Sequence, residues 1–134
     1  MQEDRIRQLV KDITDQKFLL EPTEELIVEL QSMVSFPDVE DLFYTDHGYQ
    51  YISNRLIDYE KRQKNNLSKQ ELINMVNRIL DVDGEEYEID NLLLILRIAV
   101  NDPDVTDYIY YSDEDLTAEQ IVEKALSNKP TNND

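Results

Sequence analysis

Pro37-Asp38-Val39-Glu40-Asp41-Leu42-Phe43-Tyr44 and Pro103-Asp104-Val105-Thr106-Asp107-Tyr108-Ile109-Tyr110 share a proline, two aspartates, a valine and a tyrosine in one register, 66 residues apart. Extending outward at the same offset, Val10 falls on Val76, Ile13 on Ile79 and Asp15 on Asp81, and Leu26, Leu30 and Val34 fall on Leu92, Leu96 and Val100. Ile6/Leu72, Leu9/Met75, Ile27/Leu93 and Phe43/Ile109 keep apolar character without identity. Unrelated amphipathic helices can match their apolar positions by chance. They do not also share a polar Pro-Asp-Val-x-Asp block in the same register. The chain therefore reads as a tandem duplication, with a first repeat over 1–66, a second over 67–127 and a tail over 128–134 that has no apolar anchor and is expected to be disordered.

Each repeat is expected to hold four helices. The first, over 3–16 and 68–80, carries Ile6, Leu9, Val10 and Ile13, or Leu72, Met75, Val76 and Ile79, which is the i, i+3, i+4, i+7 stripe of a helix buried on one face. Ser68 with Glu71 forms a capping box that starts the second copy. The second helix, over 22–35 and 86–101, is expected to open at Pro22 and to end before Pro37 and Pro103. A short helical turn follows over 38–45 and 104–111. The last helix lies over 49–63 and 117–127, and Thr117 with Gln120 repeats the capping pattern. No segment alternates with period two for long enough to make a strand, so the fold class is all-α. A unit of about 60 residues is near the lower limit for a self-sufficient core. The junction Lys64-Asn65-Asn66 has no glycine-serine run, so the copies are expected to pack into one compact acidic protein.

Composition removes several function classes. With 30 acidic and 13 basic residues the formal charge is −17, which opposes binding to nucleic-acid backbones and to anionic membranes. Such a field suits a basic macromolecular partner. The absence of cysteine excludes disulfides, thiolate metal sites and cysteine nucleophiles. No apolar run reaches the ~20 residues of a membrane span, and MQEDRIRQ lacks a signal peptide's core, so a cytoplasmic location is expected. Asp81-Val82-Asp83-Gly84 suggests a calcium loop, but the first ligand would then fall on Ile79 and the required apolar position on Glu86, so no metal is expected. The single histidine, His47, beside Gly48, reads as a surface turn. Tyr49, Tyr51 and Tyr59 are expected at the surface or at the junction between copies. No nucleophile–base pair or phosphate loop is present, so no cofactor and no enzymatic activity are expected.

The second copy contains Asp102-Pro103-Asp104-Val105-Thr106-Asp107-Tyr108-Ile109-Tyr110-Tyr111, followed by Leu116-Thr117-Ala118-Glu119-Gln120-Ile121-Val122. This resembles the immunity proteins of the nuclease colicins and pyocins, whose hallmark is H-P-x-x-x-D-L-I-Y-Y-P, a short acidic loop and an S-P-x-G-I-V helix start. The helices LSKQELINMVNRIL and IDNLLLILRIAV, joined by the acidic DVDGEEYE, extend the likeness over about 68–125. Asp102 stands where the family has histidine, Ser112 replaces the proline after the tyrosines, and Thr117-Ala118-Glu119-Gln120 replaces S-P-x-G. The family carries one copy, and in the first copy here the tyrosine pair is Tyr44-Thr45.

The resemblance implies a four-helix bundle whose third helix is little more than a turn. It also implies a function in binding: family members bind and inhibit the basic nuclease domain of their bacteriocin without chemistry of their own, which protects the producing cell. The partner-binding residues it implies are Tyr110, Tyr111 and Asp107 on the third helix. On the second helix they are Glu86, Ile89, Asp90, Leu93, Leu94 and Arg97. The free protein is expected to be a monomer.

Charge points to the same copy. From Asp81 to Glu119 there are 13 acidic residues and one basic residue, Arg97, and the formal charge is −6 over 1–66 and −11 over 67–134. Aromatic anchors set among carboxylates have the composition of a steered binding hot spot. On composition alone, Tyr110 and Tyr111 could equally close the bundle against the last helix, and the acidic run Asp81–Asp90 could be a solvated linker. The alternative function is an acidic nucleic-acid mimic or regulatory adaptor on the basic surface of another protein.

Overall fold

A computed structural model describes residues 2–45, 47–62, 66–102, 104–110 and 115–127. The described residues are helical, with no strand among them. The fold divides into two units, Met1–Gln63 and Lys64–Asp134, each with its own set of packed helices. The first unit contains α1 (Glu3–Phe18), α2 (Glu24–Met33), a 3-10 helix (Val39–Tyr44) and α3 (Tyr49–Arg62). The second contains α4 (Lys69–Leu80), α5 (Glu86–Val100), α6 (Val105–Tyr110) and α7 (Ala118–Ser127). The tail 128–134, the Lys64-Asn65 part of the junction, Pro103 and Tyr111 lie outside the described residues.

In the first unit α1 packs on both α2 and α3 and buries the stripe Ile6, Leu9, Val10 and Ile13. Acidic Glu3 and Asp4 in its first turn and Lys17 in its last complement the helix dipole. Arg5 joins Glu29 through two parallel hydrogen bonds of 2.8 Å, which fixes α2 against α1. The connection between the first two helices differs from the sequence reading. α1 runs on to Phe18, and α2 begins at Glu24, not Pro22. The reason is a Schellman turn: the Leu20 amide donates to the Lys17 carbonyl (3.1 Å) and the Glu21 amide to the Gln16 carbonyl (2.8 Å). Pro22 bridges that turn to Thr23, which takes the N-cap position.

Tyr59 is a further correction. It is 6% exposed and meets Phe36 edge-on, ring centroids 5.0 Å apart, so it belongs to the core of its own unit. Its place on α3, one helical repeat after Ile52 and three residues after Leu56, sets it on the buried stripe. Burial, and then the neighbouring Glu60 charge, raise its phenol pKa above the ordinary 10.0. A raised folded pKa favours the neutral form. The resulting stabilisation is complete below the unfolded value and is lost as pH rises through the folded one. Tyr59→Phe is therefore expected to flatten the loss of first-unit stability as pH rises above the ordinary phenol value of 10.0, measured by urea unfolding through the alkaline range. An unchanged slope would refute the assignment. Nearby, His47 stacks on Tyr51 with centroids 3.7 Å apart.

In the second unit, α4 packs on α5 and α7, and α6 packs on both α5 and α7. Both expected capping boxes are present. Glu71 N–H donates to Ser68 Oγ (3.1 Å) and Ser68 N–H to Glu71 Oε1 (3.0 Å). Gln120 N–H donates to Thr117 Oγ1 (3.2 Å) and Thr117 N–H to Gln120 Oε1 (2.9 Å). The core joins Leu72, Val76 and Ile79 of α4 to Leu92, Leu96 and Val100 of α5, Val105 of α6, and Ile121 and Val122 of α7. Lys69 reaches Glu123 at 2.8 Å across α4 and α7, and that hydrogen bond raises the lysine pKa.

The acidic stretch after α4 is an ordered turn. Arg78 donates from Nε (3.2 Å) and Nη2 (2.9 Å) to the Asp83 carbonyl, and a Cβ on Gly84 would sit 3.1 Å from both Arg78 Nη2 and Glu88 Oε1. Val82 occupies the left-handed region, φ 49°, at the end of α4 while 72% exposed. A β-branched residue there is strained by roughly 1–2 kcal/mol, part of which glycine returns as backbone entropy. Val82→Gly is expected to stabilise the second unit by up to about 1 kcal/mol. A lower urea midpoint would contradict that.

Candidate partner-binding face

α5 separates into two stripes. Ile89, Leu92, Leu96 and Val100 point into the core, and Ile89 is 9% exposed. Of the expected binding residues on this helix, Ile89 thus lies beneath the surface instead of on it. The cause is helical phase: it falls on the buried spacing of i, i+3, i+7, i+11. Glu86 and Arg97 are exposed, whereas Asp90, Leu93 and Leu94 are half-buried. Glu86, Asp90, Leu94 and Arg97 follow a second i, i+4, i+8, i+11 stripe, so they share one side of the helix, acidic at its start and basic near its end. Leu93 packs partly on the core.

α6 is short and needs outside help to hold its orientation. Val105, fully buried, plugs it into the core, and Tyr108 and Ile109 pack partly against the same cluster. The opposite side carries Asp107, exposed, and Tyr110, 50% exposed. These two are three residues apart and share one face. Tyr111 lies outside the described residues.

Asp102 holds α6 in that orientation, a role the sequence reading missed. It is 4% exposed. One carboxylate oxygen accepts from the Asp104 amide (2.9 Å), the other from the Tyr108 hydroxyl (3.0 Å), and its carbonyl accepts from the Val105 amide (3.2 Å). The Lys124 ammonium sits 4.6 Å from the Tyr108 ring centroid. Tyr108 is thereby fixed at its hydroxyl and over its face, and the helix turns Tyr110 outward. A signal for this existed in the sequence: an aspartate two residues before another aspartate at a helix start is an Asx-turn pattern. The tyrosine six residues on gave no hint of being its partner.

The colicin immunity protein / pyocin immunity protein family matches residues 64–130, which span α4 to α7 and every residue of the face described above. The chain belongs to this family. The immunity family is one of inhibitors and not of enzymes, which points to bacteriocin immunity and to a toxin protein as partner. Among curated proteins, the uncharacterized protein YezA of Bacillus subtilis (strain 168) is 36% identical over 63 residues, 47% of this chain and 93% of that protein. Nearly the whole of that relative thus corresponds to less than half of the present chain. No solved structure matches the chain. No helix among the described residues is long and apolar enough to cross a membrane.

Proposed function

We propose that this immunity-family protein binds and inhibits a basic nuclease toxin in the cytoplasm of the producing cell, as a monomer when free, through the α5–α6 face of its second unit. The single observation that carries the reading is Tyr110, half exposed on a helix that Asp102 and Tyr108 hold in place, on the same face as Asp107. A fixed, partly uncovered aromatic is ready to be buried by a partner at little entropic cost. The carboxylates around it speed encounter with a basic surface. The mechanism is exclusion: an acidic body seated beside the nuclease cleft keeps nucleic acid away by bulk and charge repulsion. In this reading the first unit is a scaffold or a degenerate second site, in which Tyr44 matches Tyr110 but Thr45 stands in the place of Tyr111.

Titration calorimetry of the full chain against a panel of catalytically inactive bacteriocin nuclease domains tests this. The expected result is tight, one-site binding of one of them that persists at high salt. The observed excess of acidic charge in both halves of the chain favours the second reading, a nucleic-acid mimic or regulatory adaptor. Binding that fades steeply with salt and does not depend on Tyr110 would favour that reading.

A further inference from the structure

The first unit, outside the family match, carries an exposed apolar surface of its own. Phe18, Leu19 and Leu20 at the end of α1 are 87%, 62% and 92% exposed, and Tyr44 at the end of the 3-10 helix is 69% exposed. At the 66-residue offset the α1 trio corresponds to Gly84-Glu85-Glu86; the matching turn after α4 carries one exposed left-handed apolar residue, Val82, where the first unit carries a run of three. Leu20 and Tyr44 border a cleft of about 520 Å³, which Phe43 also lines and whose edge carries Glu21 and Glu24.

Two features of this surface are costly unless something uses them. Leu20 takes the left-handed conformation, φ 61°, at the Schellman position where glycine is ordinarily found. Almost fully exposed, its side chain returns no packing for that strain. Tyr44 is held in place despite its exposure. The Lys17 ammonium lies 4.5 Å from its ring centroid and donates to its hydroxyl (3.3 Å), which in turn donates to Glu40 (3.4 Å). Lys17 also lines the cleft and keeps its charge against the neutral tyrosine, but Glu21 and Glu24 in the lining and Glu40 at the Tyr44 hydroxyl outnumber it, so the rim is net acidic.

We propose that this cleft is a second protein-docking surface, separate from the α5–α6 face, which takes a basic polypeptide segment that seats an apolar side chain between Leu20 and Tyr44. The apolar walls supply the contact area and the carboxylate rim selects for lysine or arginine beside it. A second copy of this chain is the wrong occupant, because it would bring another −17 charges against an acidic rim.

The test uses the full-length protein and a fluorescent helical peptide of about four turns, with leucine along one face and lysine elsewhere. Control peptides carry serine for leucine or glutamate for lysine. Tyr44→Ala and Leu20→Gly are each expected to weaken the lysine-leucine peptide about tenfold, while Tyr110→Ala leaves its affinity within about twofold. Leu20→Gly carries a signature that a merely structural leucine would not give: the melting temperature rises while binding falls. Phe18→Ser, at a position still more open than Tyr44, is a second variant whose folding is safe. The proposal is overturned if no peptide binds, or if the lysine-serine peptide binds equally well, because the attraction is then diffuse charge. Unchanged affinity in Tyr44→Ala and Leu20→Gly overturns it too, as does a dimer in sedimentation that Tyr44→Ala dissolves.

Discussion

Tyr110→Ala is expected to weaken binding of the proposed nuclease partner by about 2–4 kcal/mol, roughly 30- to 900-fold, almost all of it in the dissociation rate. The residue combines the properties of an interface anchor. It is aromatic and half exposed in the free protein, and it stands on a helix whose orientation is set from behind by Val105 and by the Asp102–Tyr108 hydrogen bond. Burying its remaining surface removes ring area from water without first having to order the helix. Tyr110→Phe is expected to keep most of the affinity, since the ring supplies most of the buried area. Asp107→Asn on the same face should act differently, slowing association and reducing its salt dependence. Because half of Tyr110 is already in solvent, the alanine variant should stay folded by circular dichroism. A folded Tyr110→Ala protein that binds the proposed nuclease partner within twofold of wild type would remove the anchor from this face.

Leu96→Ala is expected to destabilise the second unit by about 2–5 kcal/mol. Leu96 is fully buried at the centre of α5, in the cluster that also holds Val76, Val105 and Ile121. A unit of this size has roughly 3–10 kcal/mol of stability in total, so such a cavity removes a large part of it. Leu30, which Leu96 matches at the 66-residue offset, is likewise fully buried in the first unit. The pair gives a controlled comparison. Leu96→Ala should lower the denaturation midpoint of the second unit and with it nuclease binding, whereas Leu30→Ala should destabilise the first unit and spare that binding. Urea unfolding followed by amide NMR resolves the two units. If both variants lose α5 and α7 amides at the same urea concentration, the units unfold as one and the separation of effects fails.

Helix order was legible in the sequence because each element carries its own evidence. The stripe Ile6-Leu9-Val10-Ile13 and the Ser68/Glu71 and Thr117/Gln120 boxes are local signals, made within one turn of helix, and they lie in the structure where spacing put them. The start of α2 was misread because Pro22 suits a first helical turn, while a left-handed Leu20 leaves no mark in composition. Tyr59 was misplaced for a related reason. Its burial depends on Phe36, 23 residues away, which approaches only once α3 folds back on α1.

By itself the sequence determined the all-α class, the helix order, the acidic charge and the family resemblance of residues 68–125, because periodicity, capping and net charge are properties of neighbouring residues or of simple sums over them. Only the tertiary structure decided which residues of α5 are presented and which are buried, removing Ile89 from the surface while leaving Glu86 and Arg97 on it. It alone joined Asp102 to Tyr108, and set Leu20 and Tyr44 on either side of one cleft. Those relations depend on the rotation of each helix about its axis and on the approach of distant segments. Both are fixed by how the side chains of a unit fill one shared interior.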